Sequence, residues 1–295
     1  MNARTRQWKE LGSGLGFLGP NIIGFFLFTL VPVIAAFMLS FTQWKADGLA
    51  RISFQGVLNY AKLIEDAEFW RYLGNTLIFM AGIPLGMAVS LAAALAMNQK
   101  LKGIVVFRTL YFLPYISSIV AVALLFQWLY NKDAGLINDL LRSIGITDPP
   151  NWLGSTFWSR PAIIIMQIWK GFGYNMMIYL AALQAIPQHI YEAADIDGAS
   201  GWQKFWSITM PTLAPTHFFV VVMGIIGGFQ SFAEMYVLTD GGPDGATTTV
   251  VYQIYQKAFK TPTEMGYAAT IAIFLFAFMM IVTMLNWRFS KGEES

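Results

Sequence analysis

Long stretches without Asp, Glu, Lys or Arg constrain this chain more than any other feature. Leu11 to Trp44, Tyr72 to Gln99, Thr109 to Asn131, Phe205 to Ala233 and Met265 to Trp287 are each uninterrupted. A sixth stretch is broken by one charge, with Lys170 separating Pro161–Trp169 from Gly171–Tyr191. A bilayer core asks for about 20 mostly apolar residues per helix. The pattern therefore predicts six spans, at about 16–41, 73–97, 109–130, 161–186, 216–239 and 265–287. Pro211 and Pro215 delay the fifth span to near Thr216. An even number of spans puts both termini on one side. The expected fold is an all-α integral membrane protein, with residues 1–295 as one transmembrane domain.

Composition agrees. Charged residues make up 12% of the chain, against about 25% in soluble proteins. A net charge of +2 is no footprint for nucleic acid. There are no cysteines, and His189 and His217 are the only histidines, so thiolate catalysis and a multi-histidine metal site are excluded. The first apolar run follows Arg4, Arg6 and Lys9 but is too long for the h-region of a signal peptide, so it reads as a retained span. With cytoplasmic termini, nine basic residues lie inside and nine outside, a tie that only Lys100, Lys102, Arg108 and the N-terminal charges tilt inward. The outer loops 42–71 and 131–160 hold turn signals such as Asp47-Gly48 and Asp148-Pro149-Pro150. Gly82/Gly86 and Gly224/Gly228 have GxxxG spacing, which lets helix backbones approach closely and reads first as packing within one bundle. Pro32, Pro84 and Pro114 imply kinks whose freed carbonyls need donors.

The segment 187–212 between spans four and five reads as two short helices. Pro187 suits a first helical turn, and Gly198 a positive-φ stop. Ser200 is a natural N-cap, and Pro211 a stop or kink. Ile190, Ile196, Trp202 and Phe205 are more apolar than a water-facing loop requires, which points to packing and docking. Glu192-Ala193-Ala194, then Gly198, Ile208 and Pro211, resemble the EAA loop of binding-protein-dependent ABC transporter permeases, with Met210 in place of the usual Leu. Asn59-Tyr60, Phe69-Trp70, Asn75-Thr76, the run Phe107 to Pro114 and the run Leu183 to Pro187 resemble segments of sugar permeases. Leu238 to Pro243 with Ala246 to Thr249 resembles the last outer loop of the subgroup that includes the larger maltose-transporter permease.

That resemblance implies a multi-pass inner-membrane permease of an ATP-driven importer, carrying a sugar or sugar derivative. It implies a second permease subunit, a different chain in this subgroup, two cytoplasmic ABC ATPases and an extracytoplasmic solute-binding protein. Glu192, Ala193, Ala194, Asp197, Gly198, Ile208 and Pro211 would couple to the ATPase, which puts this loop and both termini in the cytoplasm. The chain has no G-x-x-x-x-G-K-[ST] loop, so the resemblance places ATP and Mg on the partner and no cofactor on this chain, which is then not itself an enzyme. Gln167, Lys170, Gly171 and Tyr174 follow i, i+3, i+4, i+7 and share one helix face. With Trp169, Asn175, Gln230 and Ser231 they are candidates for the substrate path, or for hydrogen bonds between helices. Lys170 has three readings: pairing with Glu234, snorkelling to an interface, or selecting an acidic sugar. A secondary transporter or channel working without ATP is the alternative. Glu234 is the one carboxylate placed to serve ion coupling.

Overall fold

The computed structural model describes residues 16–44, 52–99, 102–260 and 263–291, with side chains as far as residue 284. Arg4, Arg6, Lys9, Lys100 and the Asp47-Gly48 turn lie outside the described residues, and Trp287 outside the described side chains. The helices are α1 (Gly16–Leu39), α2 (Leu58–Glu65), α3 (Ala67–Met80), α4 (Gly82–Met97), α5 (Ile104–Ile116), α6 (Ile119–Leu129), α7 (Leu136–Ser143) and α8 (Ser159–Ala185). They continue with α9 (Gln188–Ile196), α10 (Gly201–Thr212), α11 (Ala214–Phe229), α12 (Ala233–Thr239), α13 (Val250–Phe259) and α14 (Met265–Lys291).

Among the described residues three helical stretches are long and apolar enough to cross a membrane: Gly16–Leu39, Ala67–Met97 and Met265–Met284. Two bent pairs, α5 with α6 and α10 with α11, raise that number to five if each is one span. Helix α8 has 27 residues, a length of about 40 Å at 1.5 Å per residue, but its polar side chains keep it below the same standard of apolarity.

Two compact units emerge. Of the described residues, one holds those up to Asp66 with those of Ile254–Ala277, the other those of Ala67–Gln253 with those from Phe278 on. In the first unit, a two-stranded antiparallel ribbon pairs Thr42 with Phe54 and Gln43 with Ser53. Asn59 donates to the carbonyls of Ser40 and Thr42 at 3.0 and 2.8 Å, and Thr270 to that of Ser40 at 3.0 Å. Lys62 pairs with Glu264 at 3.0 Å, and Tyr267 donates to Asp66 at 2.5 Å.

The second unit is built on α8. Gly82 lies against Ile164 and Gly86 against Ile168, while Gly224 meets Ile83 and Gly228 meets Met80. The small residues thus seat α4 on α8 and α11 on α3 and α4, within one bundle. One cluster of Phe79, Phe126, Tyr130, Ile163, Met166 and Met235 is buried. A second cluster holds Met176, Tyr179, Leu180, Leu183, Leu213 and Val220.

Two expected spans take a different form. The single span at 109–130 is two helices meeting at 95°. Ser117 and Ser118 are extended there, with ψ of 147° and 130°. Pro114 sits inside α5, but the break comes three residues later and is a corner, not a kink. The expected fifth span, 216–239, ends as a helix at Phe229 and restarts at Ala233. Upstream, the chain turns by 61° between α10 and α11, at Leu213 between the two prolines.

Candidate functional site

A cavity of about 470 Å³ opens between α3, α4, α8 and α11. Helix α8 turns one polar face into it, and Gln167, Lys170, Gly171, Tyr174 and Asn175 all line the wall. A Cβ at Gly171 would meet open space, so this glycine widens the cavity beside Tyr174. Ser231 and Glu234 also line it, from the stretch where the helix is interrupted between α11 and α12.

Hydrogen bonds fix this lining. Gln167 Nε2 donates to Glu234 Oε1 at 2.7 Å and to Ser231 Oγ at 3.2 Å. Glu234 is 8% exposed. Lys170 Nζ donates to the carbonyls of Pro114, Tyr115 and Ser117 at 3.3, 3.0 and 2.9 Å. These belong to the end of α5, where no further turn follows to supply N–H groups. Lys170 is therefore a C-terminal cap on the broken span, a use for this charge not foreseen in its sequence setting. No ion pair joins it to Glu234 among the described residues. Tyr115 and Tyr174 stack with centroids 4.5 Å apart and planes 15° from parallel, both on the cavity wall.

Trp169 and Gln230 do not join the lining. Trp169 packs on Phe126 at 5.3 Å, and Gln230 is the exposed C-cap of α11. Tyr115 and Glu234 do join, and neither stood among the path candidates. The only sequence signals for them were a tyrosine next to Pro114 and a lone carboxylate at the rim of an uncharged stretch.

The hairpin at 187–212 is built by local rules. Pro187 is the N-cap of α9. Gly198 has φ +74°, and its N–H donates to the carbonyl of Asp195 at 3.1 Å while that of Ala199 donates to Ala194 at 2.9 Å. This is a Schellman stop. Ser200 and Gln203 form a reciprocal capping box at the start of α10. Lys204 bridges to Asp195 at 2.5 Å, and Tyr191 bonds Thr209 at 2.9 Å, tying the two arms. Glu192, Ala193, Asp197, Gly198 and Pro211 are exposed, while Ala194 and Ile208 are half-buried. Glu192 accepts from Gln188 at 2.8 Å. Ile196 is 88% exposed and Trp202 71% exposed. His189 is exposed, and His217 meets the Tyr179 hydroxyl at 2.9 Å.

The model of the family described as "Binding-protein-dependent transport system inner membrane component" matches residues 82–291. This chain belongs to that family. The match takes in both the cavity-lining face of α8 and the hairpin. The lactose transport system permease protein LacF of Rhizobium radiobacter is 37% identical over 287 residues, covering 96% of this chain and 95% of that one. The multiple sugar-binding transport system permease protein MsmF of Streptococcus mutans is 33% identical, covering 95% and 96%. Among solved structures, a bacterial ABC transporter involved in import of the acidic polysaccharide alginate has a chain 26% identical, with a TM-score of 0.82 over 97% of this chain and 98% of that one. A second structure of an alginate ABC transporter, in complex with a periplasmic protein bound to alginate pentasaccharide, gives the same TM-score and identity. The chain is thus a multi-pass, inner-membrane permease of an ABC importer that works with a binding protein.

The loop after α12 of this permease is a built structure. Asp240 and Asp244 take φ of 48°. Tyr252 donates to Asp240 at 2.5 Å, and Arg71 reaches both the carbonyl and the carboxylate of Asp244. Asn75 donates to the carbonyls of Gly245 and Thr248 at 2.8 and 3.0 Å. Arg160 donates to Ala246 and to Asn75 at 3.1 and 2.9 Å. Its carboxylates are engaged in holding a turn, not arranged as a calcium loop.

Proposed function

We propose that this permease moves a sugar through the cavity on α8, driven by an ATPase that grips the hairpin. The observation that carries the proposal is the cavity lining. Gln167, Asn175 and Ser231 offer hydrogen bonds, the Tyr115–Tyr174 pair offers an aromatic face, and Gly171 leaves room for a ring. Hydroxyl-rich rings are bound by that combination of polar groups and flat apolar surface. The names of LacF and MsmF agree with a saccharide.

Coupling rests on the hairpin. Its two arms are tied by Lys204–Asp195, and its exposed Ile196 and Trp202 present apolar surface beside the acidic groups Glu192 and Asp197. A partner ATPase holding ATP and Mg would dock there, with Glu192 meeting a basic residue and Ala193 and Ala194 keeping the contact close. Nucleotide-driven closure would then move the hairpin as a lever and bias the bundle between inward and outward access. Both termini would lie in the cytoplasm with the hairpin. A second permease subunit, a different chain, would complete the pathway, and the binding protein would deliver the sugar from outside.

The test is reconstitution of the permease pair, the ATPase and the binding protein in proteoliposomes, followed by a screen of saccharides for stimulated ATP hydrolysis. Stimulation by a saccharide supports the reading. A screen in which amino acids or peptides stimulate and saccharides do not overturns it.

A further inference from the structure

The cavity holds two charged groups that differ in what they have left to offer. An ammonium has three N–H donors, and Lys170 directs its three to Pro114, Tyr115 and Ser117. No donor remains for a ligand without opening the end of α5. A carboxylate has two oxygens and about four acceptor sites. Glu234 receives one bond, from Gln167, among the described residues. It is more than nine-tenths buried, lines the cavity, and has no cation within ion-pair distance among the described residues, although Lys170 is near enough to attract it electrostatically. A buried carboxylate with unfilled acceptor sites is costly unless something brings donors to it.

We infer that Glu234 sets the charge selectivity of the pathway, accepting hydrogen bonds from the hydroxyls of a neutral sugar and rejecting a sugar that carries a carboxylate. The inference rests on the sugar reading above and narrows it to neutral saccharides. Its physical basis is the asymmetry of the lining. A hydroxyl satisfies Glu234 as a donor, whereas a uronate brings a second negative charge beside it. Lys170 keeps its positive charge and attracts Glu234 electrostatically, but its three N–H donors are committed to carbonyls and none is free to bond the uronate. Like charges brought close together repel, and burial of Glu234 weakens the screening between them. Gln167 acts as the positioning residue. Its amide holds one carboxylate oxygen and leaves the other to the ligand.

The experiment measures saccharide binding to the complete permease–ATPase complex in nanodiscs, without the binding protein, so that the latter's own preference does not enter. The probes are a neutral trisaccharide and a trisaccharide of uronic acids. Wild type should bind the neutral probe at least about tenfold more tightly. Glu234→Gln keeps an oxygen for Gln167 and removes the charge. It should shrink that ratio at least about fivefold, chiefly by improved uronate binding. An unchanged ratio, or equal loss of both probes, overturns the inference. The wild-type ratio needs no variant and stands as a separate test, in which equal or tighter uronate binding also overturns it. If wild type binds neither probe while saccharides stimulate ATP hydrolysis in the full system, charge selection at this cavity is overturned; if no saccharide in the screen stimulates, the sugar reading itself fails, a distinct outcome.

Discussion

Gly171 and Gly173 lie two residues apart on one helix, yet adding a methyl group to each should have opposite consequences. At Gly173 a new Cβ would collide with the carbonyl oxygen of Tyr111 and lie 2.8 Å from its carbonyl carbon and 3.1 Å from Phe112 Cα. Those atoms are backbone of α5, so no side-chain rotation relieves the overlap. Either α8 or α5 must shift, and Tyr111 and Phe172, in edge contact at 5.7 Å, shift with them. Overpacking of this kind costs about 1–3 kcal/mol, sometimes more. Replacing a helical glycine by alanine returns up to about 1 kcal/mol through helix propensity. Because the same return applies at Gly171, Gly173→Ala should be about 1–3 kcal/mol less stable than Gly171→Ala. At Gly171 nothing lies within 4 Å, so only the propensity gain remains and Gly171→Ala should be neutral or slightly stabilising. The assay is the midpoint of heat-induced loss of the monodisperse peak for the detergent-solubilised complex. A shift of about 2–4 °C per kcal/mol for a chain of this size predicts a midpoint several degrees lower in Gly173→Ala than in Gly171→Ala. Equal midpoints for the two variants would refute the close approach of α5 and α8.

Further outcomes follow from the same geometry. Lys170→Met strips the cap from three carbonyls at the end of α5, so both the thermal midpoint of the complex and uptake of a neutral sugar should fall; a wild-type midpoint would contradict the capping role. Gly198→Pro cannot adopt φ +74° and lacks the N–H that bonds Asp195, a local cost of about 3 kcal/mol. That variant and Glu192→Lys should leave the bundle folded but lose substrate-stimulated ATP hydrolysis, and wild-type stimulation in both would count against the coupling role. Arg160→Ala removes bonds to Ala246 and Asn75, worth about 1.5–3 kcal/mol each when a charge is involved. It should speed proteolysis within residues 240–249, and an unaltered cleavage rate would contradict the bracing of that loop.

The sequence by itself determined what depends on neighbours a few positions away. Uncharged stretches of bilayer length dictate helices, because a backbone in lipid must satisfy its own hydrogen bonds. The period of the α-helix puts Gln167, Lys170, Gly171 and Tyr174 on one face, and the cavity has them there. The hairpin is legible residue by residue, since Pro187, Gly198, Ser200 and Gln203 act through bonds spanning five residues or fewer. Only the tertiary structure decided the rest. The 95° corner at Ser117 and Ser118 is capped by a lysine 53 residues further along the chain. Trp169 and Gln230 share the neighbourhood of the path but point elsewhere, because Phe126 and the end of α11 claim them. Glu234 becomes a cavity group because Gln167, 67 residues away, holds it there. Such partners are chosen by packing between helices, and no local pattern of residues encodes which donor will reach which acceptor.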